Sequence, residues 1–161
     1  MKKIIRRSGA VVCFLCSLYI IGNKVVTATK KIRESADKYY LYFLMENQWL
    51  KLKQSGVSIE DYFKRHGYQK IAIYGMAQLG ETLYQELNQT SLEVSYAIDA
   101  SPGRLLVHYC NILKPEDDLP EVDVVIVTPI PYFKDIKRKL SKKLECPIVS
   151  LEDMLYTLDV D

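Results

Sequence analysis

Apolar positions along this chain alternate between short runs and amphipathic stretches, the pattern left by helices packed on a parallel sheet. Lys70-Ile71-Ala72-Ile73-Tyr74 is a run of β-formers suited to a strand buried on both faces. A helical pattern follows over Glu81–Asn88, with Leu79, Leu83, Tyr84 and Leu87 on one face. Glu93-Val94-Ser95-Tyr96-Ala97-Ile98 reads as a second strand, and Leu105–Leu113 as a region holding a short edge strand. Val122–Thr128 is the clearest central strand. Tyr132–Leu144 predicts an amphipathic helix with Phe133, Ile136, Leu140 and Leu144 inward and lysines outward. Pro147-Ile148-Val149 is the last strand, and Ser150-Leu151-Glu152-Asp153 caps a final helix. The expected fold is α/β, a single Rossmann-like domain with a mostly parallel sheet in the order 3-2-1-4-5.

Upstream the pattern changes. Residues 28–53 lack Pro and Gly and predict a long helix carrying Tyr39, Tyr40, Tyr42, Phe43 and Trp49. Packing of these rings against the domain is the expected reading; a membrane-interface belt or a partner face is the alternative. Gly56 ends the helix, Ser58-Ile59-Glu60-Asp61 resembles a capping box, and Gly67 closes the short helix it starts. The uncharged stretch from Ser8 to Asn23, behind Lys2, Lys3, Arg6 and Arg7, would form about 24 Å of helix against a hydrocarbon core of about 30 Å. It is read as a membrane anchor, spanning or interfacial. A cleaved leader ending near Val26-Thr27-Ala28, or a helix packed on protein, are the alternatives. The expected organisation is an anchor over 1–27, a helical lead-in over 28–66 and the Rossmann-like domain over 67–161.

Charge adds an asymmetry. Eight of the 22 basic residues lie in residues 1–33, which hold no acid, leaving 14 against all 20 acidic residues and a net of −6 for the remainder. A basic leader suits an anionic membrane, whereas an acidic globule is a poor nucleic-acid binder, so no nucleic-acid partner is expected. The 48% apolar and 26% charged content excludes global disorder. Four cysteines supply no disulfide framework, and Cys13 and Cys16 sit among apolar neighbours without a second ligand pair, so no metal is expected.

The chemistry concentrates between the first two strands. Gly75-Met76-Ala77-Gln78-Leu79-Gly80 lies between a strand and a helix, and Asp99 ends the next strand, 24 residues after Gly75. In a dinucleotide-binding unit the first glycine makes the turn, the last lets the helix pack close, and helix N–H groups face a pyrophosphate. The terminal acid accepts from ribose hydroxyls, which favours NAD over NADP. The cofactor-binding set is therefore Gly75, Met76, Ala77, Gln78, Leu79, Gly80, Asp99 and Thr128, the last at the strand end where the strand order reverses. Tyr132, just beyond, is placed to cover a base. Ala77 replaces the second glycine, where backbone and phosphate come closest, so its methyl group weakens or blocks dinucleotide binding. No catalytic residues are assigned. None of the 12 tyrosines has Lys four positions later, and His66 and His108 stand apart from any partner.

Lys70–Gly80, Ala97-Ile98-Asp99 and Val122–Thr128 resemble a family of bacterial Rossmann-like nucleotide-binding domains found with surface-polysaccharide and glycosyltransferase systems. These are similar to the N-terminal domain of sugar O-acyltransferases. The resemblance covers roughly residues 56–158 and extends to Asn47-Gln48-Trp49-Leu50; Ala77 departs from the usual glycine. It implies a nucleotide or nucleotide-sugar ligand and a glycosyltransferase or other polysaccharide-assembly partner. The expectation is a membrane-associated accessory protein, its domain on the cytoplasmic side where such ligands occur. A small NAD-dependent reductase or sugar-nucleotide modifying enzyme acting with a partner chain, and a non-binding scaffold, are the alternatives.

Overall fold

The computed structural model describes the backbone of residues 2–104 and 110–158, with side chains over 18–103 and 110–158. It divides into two units at Tyr40/Leu41. One helix, α1, runs Lys2–Gln54. Uncharged residues 8–17 lie on it, and their side chains fall outside the described set, as does His108. Among the described residues no helix is long and apolar enough to cross a membrane.

Five strands build the second unit: β1 (Lys70–Tyr74), β2 (Glu93–Ile98), β3 (Ile112–Leu113), β4 (Val124–Val127) and β5 (Ile148–Ser150). They pair in parallel throughout, in the order β3-β2-β1-β4-β5, as the pattern predicts. α2 (Glu60–His66) precedes β1, α3 (Gln78–Leu87) and α4 (Phe133–Leu140) connect strands, and α5 (Leu151–Thr157) follows β5.

Alternation along the strands separates two cores. Ile71, Ile73, Val124 and Ile126 meet Trp49, Phe63, Leu83, Leu87 and Leu155, which come from α1, α2, α3 and α5. Ala72, Val125 and Val127 meet Ile136 and Leu140 of α4, with Tyr96 and Ile98 from β2. Both faces of the inner strands are thus covered, as a continuous apolar run requires.

Three expectations change in detail. The aromatic cluster of α1 is split: Trp49 is buried and Tyr42 half-buried, whereas Tyr39, Tyr40 and Phe43 are exposed. A helix offers only one stripe to a core, and neighbouring rings cannot all share it. The capping box at Ser58 is not reciprocal. The N-cap is Ile59, without a side-chain cap; Ser58 Oγ accepts from Glu60 N–H at 3.2 Å, while Asp61, the acid of the expected box, donates its N–H to the Ser58 carbonyl at 3.1 Å. The amphipathic helix stops at Leu140 rather than Leu144: Ser141 is its C-cap, the chain beyond it makes turn bonds back to the Lys139 and Leu140 carbonyls, and Lys143 in that turn donates its ammonium to the Pro115, Glu116 and Asp117 carbonyls at 2.8–2.9 Å. The Ser150 cap forms as expected, its Oγ accepting from Asp153 N–H at 3.0 Å.

Candidate functional site

At the carboxyl edge of the sheet three connections meet, after β1, β2 and β4. The chain leaves β1 through Gly75, whose φ of +91° is closed to most L side chains. Space imposes the same demand, since a Cβ here would stand 2.7 Å from the Pro129 ring and 2.8 Å from Thr128 Oγ1. Gly75 N–H donates to the Ile98 carbonyl at 2.8 Å, which fastens the turn to β2. Gly80, in the first turn of α3, lies so close to the Gly75 carbonyl that any Cβ would overlap it. The two outer glycines therefore do what the motif requires, one turning the chain and one admitting the helix.

Asp99 and Thr128 hold this turn from either side. Asp99 Oδ2 accepts from Met76 N–H at 3.0 Å, and Oδ1 accepts from Ser101 N–H at 2.7 Å. Thr128 is 4% exposed; its hydroxyl donates to the Gly75 carbonyl at 2.7 Å and lies 3.2 Å from that of Tyr74. Thr128 thus serves the turn, and its single hydroxyl proton is already committed. Asp99 is half-buried, and a carboxylate has acceptor sites beyond the two used here.

The mouth of the crevice belongs to α3. Ala77 is its N-cap, with φ −75° and ψ −167° and no side-chain cap. That backbone is open to any residue, so alanine in place of glycine costs no strain here. The first helical bond is Glu81 N–H to the Ala77 carbonyl. The N–H groups of Gln78, Leu79 and Gly80 precede it and have no acceptor among the described residues. Ala77 and Gln78 are exposed, whereas the Met76 and Leu79 side chains are buried in the core and offer only backbone to a ligand. Glu81 is the acid of the first turn.

The eight residues read from the sequence thus separate into three groups. Gly75, Met76, Gly80, Asp99 and Thr128 form one bonded turn. Ala77 and Gln78 face solvent, and Leu79 packs. Ile98, Ser101 and Pro129 complete the arrangement and were not anticipated. Thr128-Pro129 directly after an apolar strand was the available signal for the last of them.

Beside this turn, a concavity of about 660 Å³ opens between Ile130–Asp135 and Ser150–Asp153, at the carboxyl ends of β4 and β5. Lys134 lines it with Asp135, Glu152 and Asp153. Tyr132 is 55% exposed. Tyr74, at the end of β1, has its phenol pushed above the usual range by burial and by the charges of Asp99 and Glu116.

Among the described residues the two cysteines and the histidine are subdued or occupied. Burial pushes the Cys110 and Cys146 thiols up, which suppresses thiolate. His66 Nδ1 lies 2.8 Å from the Tyr62 carbonyl, its ring between Tyr62 and Tyr68. Among the described residues no group of three or more His, Cys, Asp or Glu side chains is placed to hold a metal ion. The uncapped N–H groups at the start of α3 are donors, and the neighbouring concavity carries one lysine against three carboxylates.

Comparison with known proteins finds no matching family model, no similar curated protein and no similar solved structure.

Proposed function

We propose that this protein binds the phosphate-bearing part of NAD or a nucleotide-sugar at the α3 N-terminus, as a membrane-tethered accessory protein. One observation carries the reading: the β1–α3 turn is held rigidly by Asp99 and Thr128 while the first N–H groups of α3 are left uncapped. Uncapped helix N–H groups beside a glycine turn favour phosphate, through direct donation and the positive end of the helix dipole. The acceptor sites that remain on Asp99 suit ribose hydroxyls.

The basic, uncharged-centred leader supports a tether to an anionic bilayer on the cytoplasmic side. Its apolar length of about 24 Å favours lying in the interface over spanning. The polysaccharide setting, with a glycosyltransferase or similar partner, rests on the resemblance of Lys70–Gly80, Ala97–Asp99 and Val122–Thr128.

A scaffold without a ligand is the second reading, favoured by the commitment of both Asp99 oxygens and the Thr128 hydroxyl to backbone partners. A thermal-shift screen of the full chain in mild detergent separates the two. NAD, NADP, a UDP-sugar and coenzyme A are each raised to 1 mM. Binding at 100-fold over Kd adds about 2.7 kcal/mol of stability, a shift of several degrees. Ala77→Asp places a capping carboxylate over the same N–H groups, so it should raise the melting temperature of the free protein and abolish the ligand shift. No shift with any of the four compounds rejects nucleotide binding and leaves the scaffold.

A further inference from the structure

Charge on the second unit is unevenly placed. Residues 41–161 hold 13 basic and 18 acidic residues, yet six of the basic ones fall within residues 134–143, which hold one acid. The rest of the unit carries seven basic residues against 17 acidic ones. α4 turns Ile136 and Leu140 into the core, which leaves Lys134, Lys137, Arg138 and Lys139 exposed, with Lys142 and Lys143 exposed in the turn that follows. Little of this charge is neutralised. Arg138 pairs with Asp135 at 2.7 Å, and Lys143 holds three carbonyls that carry no net charge. Lys134, Lys137, Lys139 and Lys142 have no ion pair among the described residues. Local stability does not explain the arrangement. Lys134 and Arg138 are like charges at i,i+4, which weakens a helix, and the helix dipole rewards the cations of the last turn but not Lys134 in the first. Acids bound the patch: Glu152 and Asp153 share a concavity with Lys134, and Glu116, Asp117 and Asp118 share one with Lys143.

We propose that the outer face of α4 docks the domain on an anionic lipid surface, a reading that rests on the membrane tether proposed above. Charge complementarity selects a polyanion, and three features select lipid. The patch is the convex face of one eight-residue helix. Mobile headgroups can gather at such a face one by one, whereas a nucleic-acid strand or an acidic protein would run past it onto the flanking carboxylates. Tyr132, 55% exposed, stands at the start of the helix, and a phenol beside cations suits the headgroup level. The leader supplies the third feature. A tethered domain meets the bilayer at high effective concentration, so a modest patch is enough, and a marginal anchor gains stable binding from a second, polybasic contact. Headgroups repel the acidic remainder of the domain, so the patch also fixes which face meets the membrane.

The test is co-sedimentation of the full chain with vesicles of phosphatidylcholine, alone or with about one third phosphatidylglycerol. Each cation at an anionic surface contributes about fivefold, so Lys134→Gln, Lys137→Gln and Lys142→Gln together should weaken binding to the anionic vesicles by about 100-fold. Binding to the neutral vesicles should not change, and high salt should erase the difference. Lys51→Gln, Arg65→Gln and Lys70→Gln together remove the same charge from exposed positions elsewhere, and should cost much less at an equal melting temperature. Equal losses in the two triple variants, or no loss in the first, overturn the proposal. So does RNA that strips the wild type from the anionic vesicles at the same phosphate concentration. The tether is read separately, with Val12→Glu and Leu15→Glu in the leader. Binding that survives this change unweakened removes the tether, while its dependence on the α4 lysines still decides the patch.

Discussion

Replacing Gly80 by Ala tests whether the β1–α3 turn is as tightly built as its geometry indicates. The new methyl group would overlap the Gly75 carbonyl oxygen and stand 2.9 Å from its carbon. Neither partner yields easily. The Gly75 oxygen accepts from Thr128 Oγ1 and its N–H is tied to Ile98, while withdrawing α3 would disturb Leu79, Leu83 and Leu87 in the core. Overpacking of this kind costs about 1–3 kcal/mol, and a displaced Thr128 bond about 1 kcal/mol more. Alanine's helix preference and the stiffer unfolded chain return about 1 kcal/mol together. The net expectation is a loss of about 2 kcal/mol. With a urea m-value of about 2 kcal/mol/M the unfolding midpoint falls by about 1 M. The single tryptophan, Trp49, is buried against α3 and reports the transition by fluorescence. Gly103→Ala is the control, since a Cβ there meets nothing within 4 Å, and it should change the midpoint little. An unchanged or raised midpoint in Gly80→Ala would refute the close approach and, with it, the rigid turn.

Other perturbations probe the frame around that turn. Trp49 Nε1 donates to Glu86 at 2.9 Å, and Lys53 pairs with the same carboxylate at 2.8 Å. Trp49→Phe should cost about 2 kcal/mol by circular-dichroism unfolding, but Lys53→Met, at a half-exposed pair, less than about 1 kcal/mol. Equal losses would contradict this ranking. Burial pushes the Tyr96 phenol up to about 12, and its hydroxyl donates to the Pro120 carbonyl at 2.7 Å. A raised folded pKa contributes stability that is present below the unfolded value near 10 and lost as pH rises towards 12. Wild type should therefore lose more urea stability than Tyr96→Phe between pH 9 and 12, and parallel curves would disprove it. Asp123 is the acid-side counterpart. Its Oδ2 accepts from Gln69 and Lys70 N–H at 2.7 Å, and these bonds hold the carboxyl below its usual range. That contribution is present above pH 4 and lost as pH falls, so Asp123→Asn should flatten the acid limb of the stability profile.

Much of the fold was legible because it is written in local pattern. Ile71–Ile73 and Val124–Val127 are continuous apolar runs, and only a strand covered on both faces uses them. The order of strands followed from the alternation of strand and helix with right-handed crossovers. The helix ends were less legible. Just beyond α4, Lys143 ties the following turn to carbonyls 26–28 residues away, and no spacing rule encodes that reach.

The candidate site divides along the same line. The sequence by itself determined that Gly75 and Gly80 would bracket a strand-to-helix turn and that Asp99 and Thr128 would arrive at one edge of the sheet. Strand length and order place them there. Only the tertiary structure decided what those side chains do on arrival. Asp99 and Thr128 bond to backbone 23 and 53 residues away, and Pro129 closes the space that makes Gly75 obligatory. It also split the aromatic residues of α1 between core and solvent. The physical reason is that a pattern fixes which face a residue occupies. The partner waiting on that face belongs to a distant part of the chain and depends on how the elements pack.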